Sequence, residues 1–233
     1  MKTKYSKRSD DQFPVYRGKK CDIKTDELRK IIFPLQKLLA KMESRLTSGR
    51  YTVMIGDDAS GRVPALILNK ISNKCCHKKT PLFFLAGSRE TKSLRKKKAE
   101  MKRFIQKKLR LPKGASVLLV TEYIHHGNSM LLLTEVLRSL AITYEICTLS
   151  VCRHRSISTP ASLSAKLGTK ILFGMKAHSS LDGNYVLAGV EKSYEDVLAT
   201  RYQMTKKERA CFQKSRKDVT RIAEFLHNKH FQS

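Results

Sequence analysis

Residues 116–130 read SVLLVTEYIHHGNSM, and this stretch decides the fold. Its first part, Ser116–Thr121, is a continuous apolar run of the kind that forms a buried strand. An acid, a hydrophobic pair, two histidines, a glycine and small polar residues follow, and residues 130–140 then have the spacing of an amphipathic helix. An apolar strand that passes through a short polar turn into a helix is typical of parallel sheets covered on both faces.

The same pattern continues on both sides of this stretch. Apolar runs predict further strands at Tyr51–Gly56, Leu82–Ala86, Ile142–Ser150, Lys170–Gly174 and 185–190. Helical segments lie between them, at 61–73, at 92–110 and after Pro160. We therefore predict an α/β protein with a parallel sheet covered by helices on both faces.

Different patterns flank this core. Residues 1–24 form a basic, irregular N-terminal arm, and a helix with one apolar face begins at Thr25 or Asp26. Pro34 lies inside this helix and is expected to kink or restart it. Near the other end, Thr205 and Glu208 have the spacing of a capping box. The predicted organisation is an arm at 1–24, an α/β domain at 25–204 and a C-terminal helix at 205–233.

The composition points to an anionic partner. The chain has 233 residues, with 47 Lys and Arg against 20 Asp and Glu, and therefore a net charge of +27. Hydrophobic residues make up 41% of it, which excludes wholesale disorder. A field of this sign attracts nucleic acid, acidic membrane surfaces and phosphorylated small molecules. The absence of Trp argues against an aromatic-lined carbohydrate site.

Nothing in the sequence predicts a membrane span or a secretory signal. The apolar runs are far shorter than the roughly 20 residues that cross a bilayer, and the basic N-terminus leads into no apolar segment. The six cysteines show no C-x-x-C spacing that would indicate a zinc site. We expect a cytoplasmic protein with reduced thiols.

Two strand ends have sequences that suit an anionic ligand. The first is the run of acids and small residues Asp57, Asp58, Ala59, Ser60, Gly61 and Arg62. Small residues at a helix start let backbone N–H groups approach an anion, and the two acids suit Mg²⁺ or ribose hydroxyls. An ordinary strand-to-helix turn with an Asp or Ser cap explains the same residues equally well.

The second strand end carries a resemblance to a known family. The order of apolar strand, Glu122, hydrophobic pair, polar residues, Gly127 and helix resembles the ribose-phosphate motif of the type I phosphoribosyltransferases. In that family two adjacent acids bind the ribose hydroxyls, and the loop after them wraps the 5′-phosphate. Thr121 stands where the family has the first acid and Glu122 retains the second. The phosphate loop falls on His125, His126, Gly127, Asn128 and Ser129.

The resemblance implies a ligand and a set of roles. The ligand would be phosphoribosyl pyrophosphate or another ribose phosphate or nucleotide, with Mg²⁺ as cofactor and transfer of phosphoribose to a base as the reaction. Glu122 would be catalytic, and Asp58 and Glu122 would hold the metal. Ribose and metal would be bound by Thr121, Glu122, Asp57 and Asp58, and pyrophosphate by Ala59, Ser60, Gly61 and Arg62. The alternative is a regulatory or nucleic-acid-binding protein that kept the fold without turnover.

A basic segment separates the second and third predicted strands. Between Lys92 and Lys113 there are eleven Lys and Arg and one acid, Glu100. The resemblance implies a mobile loop that closes over the active site here. Nucleic-acid contact and a solvated helix face are the other two interpretations of the same charge. The oligomeric state stays open.

Overall fold

The core of the protein is a five-stranded sheet in which all strands are parallel. The computed structural model describes residues 15–16, 19–20, 22–76, 79–87, 91–152, 159–177, 187, 189–191, 195–198 and 200–232. The sheet strands are β3 (Val53–Asp57), β4 (Leu82–Leu85), β5 (Ser116–Ile124), β6 (Thr143–Cys152) and β7 (Ile171–Ala177). Their order across the sheet is β4-β3-β5-β6-β7, one of the two common orders of doubly wound sheets.

Helices cover both faces of this sheet. One face is packed by α1 (Asp26–Thr47), α2 (Asp58–Cys75) and α6 (Lys206–Phe231). The other is packed by α3 (Leu94–Phe104), α4 (Asn128–Ser139) and α5 (Pro160–Leu167). A π-helical segment, Ile105–Leu109, continues α3. The predicted α/β class with a covered parallel sheet is confirmed.

Short antiparallel ribbons lie outside the sheet. They are β1 (Val15–Tyr16) with β2 (Lys19–Lys20), and β8 (Val190–Glu191) with β9 (Thr200–Arg201). Among the described residues of the strand predicted at 185–190, which are 187, 189 and 190, Val190 alone is in a strand. Leu187 has a helical backbone, Gly189 interrupts the run at φ +73°, and 185, 186 and 188 lie outside the described residues.

The burial of β5 explains why the sheet organises the chain. Leu118 and Val120 pack on the α1 side, whereas Val117 and Leu119 pack on the α4 side. A strand that buries both faces must be apolar throughout, which is why the run is continuous rather than alternating. None of the helices within the described ranges is long and apolar enough to cross a membrane.

Pro34 does not interrupt α1. The helix runs from Asp26 to Thr47 without a break, so the predicted restart is wrong. Pro34 is buried, and a side chain on Gly174 of β7 would collide with the Pro34 carbonyl oxygen. Burial of the apolar face of α1 therefore outweighs the hydrogen bond that the proline cannot donate.

The terminal helices are tied together by Asp218 of α6, whose side chain is fully buried. Its Oδ2 atom accepts hydrogen bonds from Lys24 N at 3.0 Å, Thr25 N at 2.9 Å and Thr25 Oγ1 at 2.7 Å. Its Oδ1 atom accepts one from Arg221 at 3.0 Å. This carboxylate therefore satisfies the backbone at the start of α1 from a distant part of the chain.

We expect the substitution Asp218→Ala to lower the free energy of unfolding by about 3 kcal/mol, because it leaves buried donors without an acceptor. The matched control is Asp26→Ala. Asp26 also pairs with an arginine, but its side chain is 75% exposed, so its loss should cost less than about 1 kcal/mol. Urea denaturation followed by circular dichroism measures both; equal losses would contradict the anchoring role.

Candidate functional site

We name the carboxyl-end edge of the sheet between β3 and β5 the crevice, because the strand connections diverge there. These two strands are neighbours, and the helices that follow them, α2 and α4, pack on opposite faces of the sheet. In sheets of this kind, ligands bind beyond the carboxyl ends of the strands at the point where the connections diverge. Both strand ends that the sequence singled out lie at this point.

Asp57 ends β3 at the floor of the crevice and is only 3% exposed. Its Oδ1 atom accepts a hydrogen bond from Gly87 N at 3.3 Å, and its Oδ2 atom accepts one from Thr121 Oγ1 at 3.5 Å. Ser60 is exposed above them; its hydroxyl lies 3.4 Å from Thr121 Oγ1 and donates to the Asp57 carbonyl oxygen at 3.2 Å. Asp57, Ser60 and Thr121 therefore form one polar cluster.

Glu122 follows Thr121 in β5 and is 4% exposed. Its carbonyl oxygen accepts a hydrogen bond from Thr148 at 2.9 Å. The hydroxyl of its neighbour Thr121 donates to Asp57 Oδ2, so the cluster reaches the first residue of the predicted pair.

Among the side chains of the described residues, no three His, Cys, Asp or Glu are grouped closely enough to hold a metal ion by themselves. Mg²⁺ is usually held by one or two carboxylates together with substrate phosphates, and Asp57 is the carboxylate of this cluster. The side chain of Asp58 lies outside the described part of the structure.

The predicted pyrophosphate residues form the first turn of α2 rather than a separate loop. The helix begins at Asp58, three residues earlier than the sequence predicted, because β3 ends directly before it. A side chain on Gly61 would collide with the Val120 carbonyl oxygen, so this turn lies directly against β5. Ala59 packs against Val190, and the Arg62 guanidinium lies 4.2 Å from the centre of the Phe84 ring. Asp57 precedes the helix without capping it through its side chain.

The second strand end forms a tight loop before α4. Gly127 is the N-cap residue at φ +73°, a left-handed conformation that other residues adopt only with strain, and Asn128 begins the helix. The His125 and His126 rings are 4.0 Å apart, and His125 stacks on Tyr123 with a centroid distance of 6.1 Å. Burial, together with a hydrogen bond to Cys152, raises the pKa of Tyr123 to about 12, so its phenol stays neutral.

Helix α5 supports this loop with residues that sequence reasoning missed. The Lys166 ammonium donates to the His126 carbonyl oxygen at 2.5 Å and to Asn128 Oδ1 at 2.8 Å. Leu163 and Leu167 pack beside Gly127. Lys166 is about forty residues away in the chain and belongs to no motif, so only the packing of α5 on α4 reveals its role.

Gly87 joins the two strand ends. A side chain here would collide with the Ser129 carbonyl oxygen and would also lie 3.0 Å from Asp57 Oδ1. The first turn of α4 therefore approaches Asp57 as closely as a glycine allows. The structure thus brings together Asp57, Ser60, Thr121 and Ser129 from the predicted site residues.

No protein-family model and no curated protein matches the chain. The sequence resemblance therefore rests on the residues of the two strand ends. In the structure the two strand ends lie beside each other, with Gly87 between Asp57 and Ser129.

We expect Gly61→Ala to lower the free energy of unfolding by about 1–3 kcal/mol, because the added methyl group must push α2 away from β5. The neighbouring substitution Ser60→Ala is the control. It removes one exposed hydroxyl and adds a better helix former, so it should change stability by less than about 0.5 kcal/mol. Chemical denaturation of both variants tests the close approach of α2 to β5. An unchanged free energy of unfolding in Gly61→Ala would contradict it.

Proposed function

We propose that this protein binds a phosphorylated ribose compound, phosphoribosyl pyrophosphate or a nucleotide, in the crevice between β3 and β5 on a type I phosphoribosyltransferase-like fold. The observation that carries the proposal is the position of both motif segments at this crevice, on either side of Gly87. A ribose phosphate has hydroxyls at one end and a phosphate at the other. The hydroxyls would meet the Asp57 carboxylate, and the phosphate would meet the start of α4.

The phosphate would lie at the start of α4. The first N–H groups of a helix have no partner within the helix, and the helix dipole favours an anion there. The left-handed Gly127 leaves room for close approach, as the loops that bind phosphates require. Lys166 adds a fixed positive charge through its bonds to the loop, and His125 and His126 supply two imidazoles.

The ribose would lie at the Asp57 cluster. Ribose hydroxyls donate hydrogen bonds to carboxylate oxygens, and Asp57 is the carboxylate of this cluster, where it also meets Gly87 and Thr121. Thr121, which stands in the place of an acid, contributes a hydroxyl rather than a second negative charge, and exposed Ser60 contributes another.

The proposal concerns binding. Transfer of phosphoribose to a base, with Glu122 as the catalytic residue and Mg²⁺ as cofactor, is implied by the resemblance alone. A regulatory protein that binds the ligand without turnover fits the lost acid at Thr121 better. The chemistry of such a role is positioning and charge complementarity, both of which the loop and the cluster can provide.

We expect phosphoribosyl pyrophosphate or a nucleoside monophosphate to raise the melting temperature; a hundredfold excess over Kd corresponds to about 2.7 kcal/mol. The informative variant is Asn128→Asp, which places a negative charge where the phosphate would bind. An acid in the first turn of α4 stabilises the helix, so the variant should melt no lower than the parent while losing the ligand response.

Gln213→Glu, at an exposed position of α6, is the matched control. It adds the same charge away from the crevice and should keep the ligand response. Each titration is performed with and without MgCl₂, which separates ligand binding from metal dependence. The absence of any melting shift in the parent with either ligand at millimolar concentration would refute the proposed function. An unchanged response in Asn128→Asp would remove the loop from the site.

A further inference from the structure

The structure sorts the eleven cations of the basic segment into three groups. Lys97 is buried, and Lys98 pairs with Glu135 of α4 at 3.2 Å. Lys102 is half-buried. The remaining eight are exposed along the outer side of α3 and the π-helical segment and beyond: Lys92, Arg95, Lys96, Arg103, Lys107, Lys108, Arg110 and Lys113.

Acidic residues are distributed unequally between the two faces of the molecule. Helices α3, α4 and α5 and the π-helical segment hold ten Lys and Arg and only two acids, Glu100 and Glu135, of which Glu135 is already paired. Helices α1, α2 and α6 hold sixteen Lys and Arg but seven acids: Asp26, Glu27, Glu43, Asp58, Glu208, Asp218 and Glu224. The ratio of cations to acids is therefore higher in the α3-side helices, although Glu195 also accepts hydrogen bonds from Thr91 and Lys92 at the start of α3.

The apolar stripe of α3 is used by the core. Met101 and Ile105 are buried, and Leu94, Phe104 and Leu109 pack against the same cluster. The large hydrophobic side chains exposed in the described part of the chain are Phe33 and Leu198, and neither lies on α3, α4 or α5. A helix that binds a membrane surface inserts an apolar face, and a surface for single strands offers aromatic rings. This surface has cations without either feature.

The length of the basic helical segment suits a duplex. Residues 94–109 form a continuous helical rod, and at 1.5 Å per residue it is about 24 Å long. Duplex nucleic acid carries one charge per about 1.7 Å, so the rod spans the phosphates of about 7 base pairs. At its end Arg110 is exposed in the left-handed conformation, φ +43°, which a glycine would adopt without strain.

We infer that the outer surface of α3 and the π-helical segment binds the phosphate backbone of duplex nucleic acid without reading its sequence. This inference goes beyond the proposed ribose-phosphate site and uses none of its residues. The exposed cations replace the counterions of the duplex, and the small number of acids on α3, α4 and α5 keeps that exchange favourable.

The test removes three exposed cations, Lys96→Gln, Arg103→Gln and Lys107→Gln, from the full chain. Filter binding to a duplex of about 20 base pairs is measured over a salt series, where each lost phosphate contact lowers the log–log slope by about 0.9. We expect the slope to fall by about 2.7 and the affinity at low salt to fall at least about tenfold.

The matched control is Arg209→Gln, Lys214→Gln and Lys217→Gln on α6, which makes the same change in net charge on the opposite face. It should weaken binding less than about threefold, because exposed charges beyond a Debye length are screened. Equal losses in both variants would overturn the localised surface and leave only general attraction by a basic protein.

Four probes identify the partner: duplex DNA, duplex RNA, single-stranded DNA and phosphatidylserine–phosphatidylcholine vesicles. The inference is supported if binding of either duplex depends on the α3 cations. Comparison of the two duplexes then shows whether the partner is DNA or RNA. Preference for the single strand, or vesicle binding without duplex binding, would overturn it.

Arg110→Gly should melt no lower than the parent but bind the duplex more weakly; unchanged binding would exclude Arg110 from the surface.

Discussion

The parallel pairing of β5 with β3 on one side and β6 on the other is the constraint on which the structure depends. Val117 pairs with Val53 and Tyr144, and Leu119 pairs with Ile55 and Ile146, so this strand is buried at the centre of the sheet. Because parallel strands need crossover helices, α2 and α4 must pass over opposite faces. That divergence places the Asp57 cluster and the start of α4 side by side.

The elements of the sheet could be predicted from the sequence because each is a short apolar run between turn residues. The order of the strands across the sheet could not be predicted. Nothing in a run such as Leu82–Leu85 indicates that it pairs with β3 at an edge of the sheet rather than with β5. Local rules failed where packing outweighed propensity. Pro34 stays inside α1 because its face is buried, and the run at 185–190 is interrupted by left-handed Gly189.

The candidate site was predictable only in the parts that are contiguous in the sequence. Asp57 and residues 125–129 follow strands, and a strand end before a helix is visible in the chain. Gly87 and Lys166 are invisible at that level, because their roles arise from contacts with Ser129 and with His126 that depend on the fold.

The positive charge of the chain is larger than one phosphate site can use, and the fold divides it. Lys166 contacts the loop before α4, where a single anion would be held by directed donors at fixed positions. The exposed cations of the basic segment instead project from a helix whose apolar side is already in the core, so they can meet an extended partner without disturbing the sheet. A compact ligand needs convergent donors, whereas a polymer needs spaced ones.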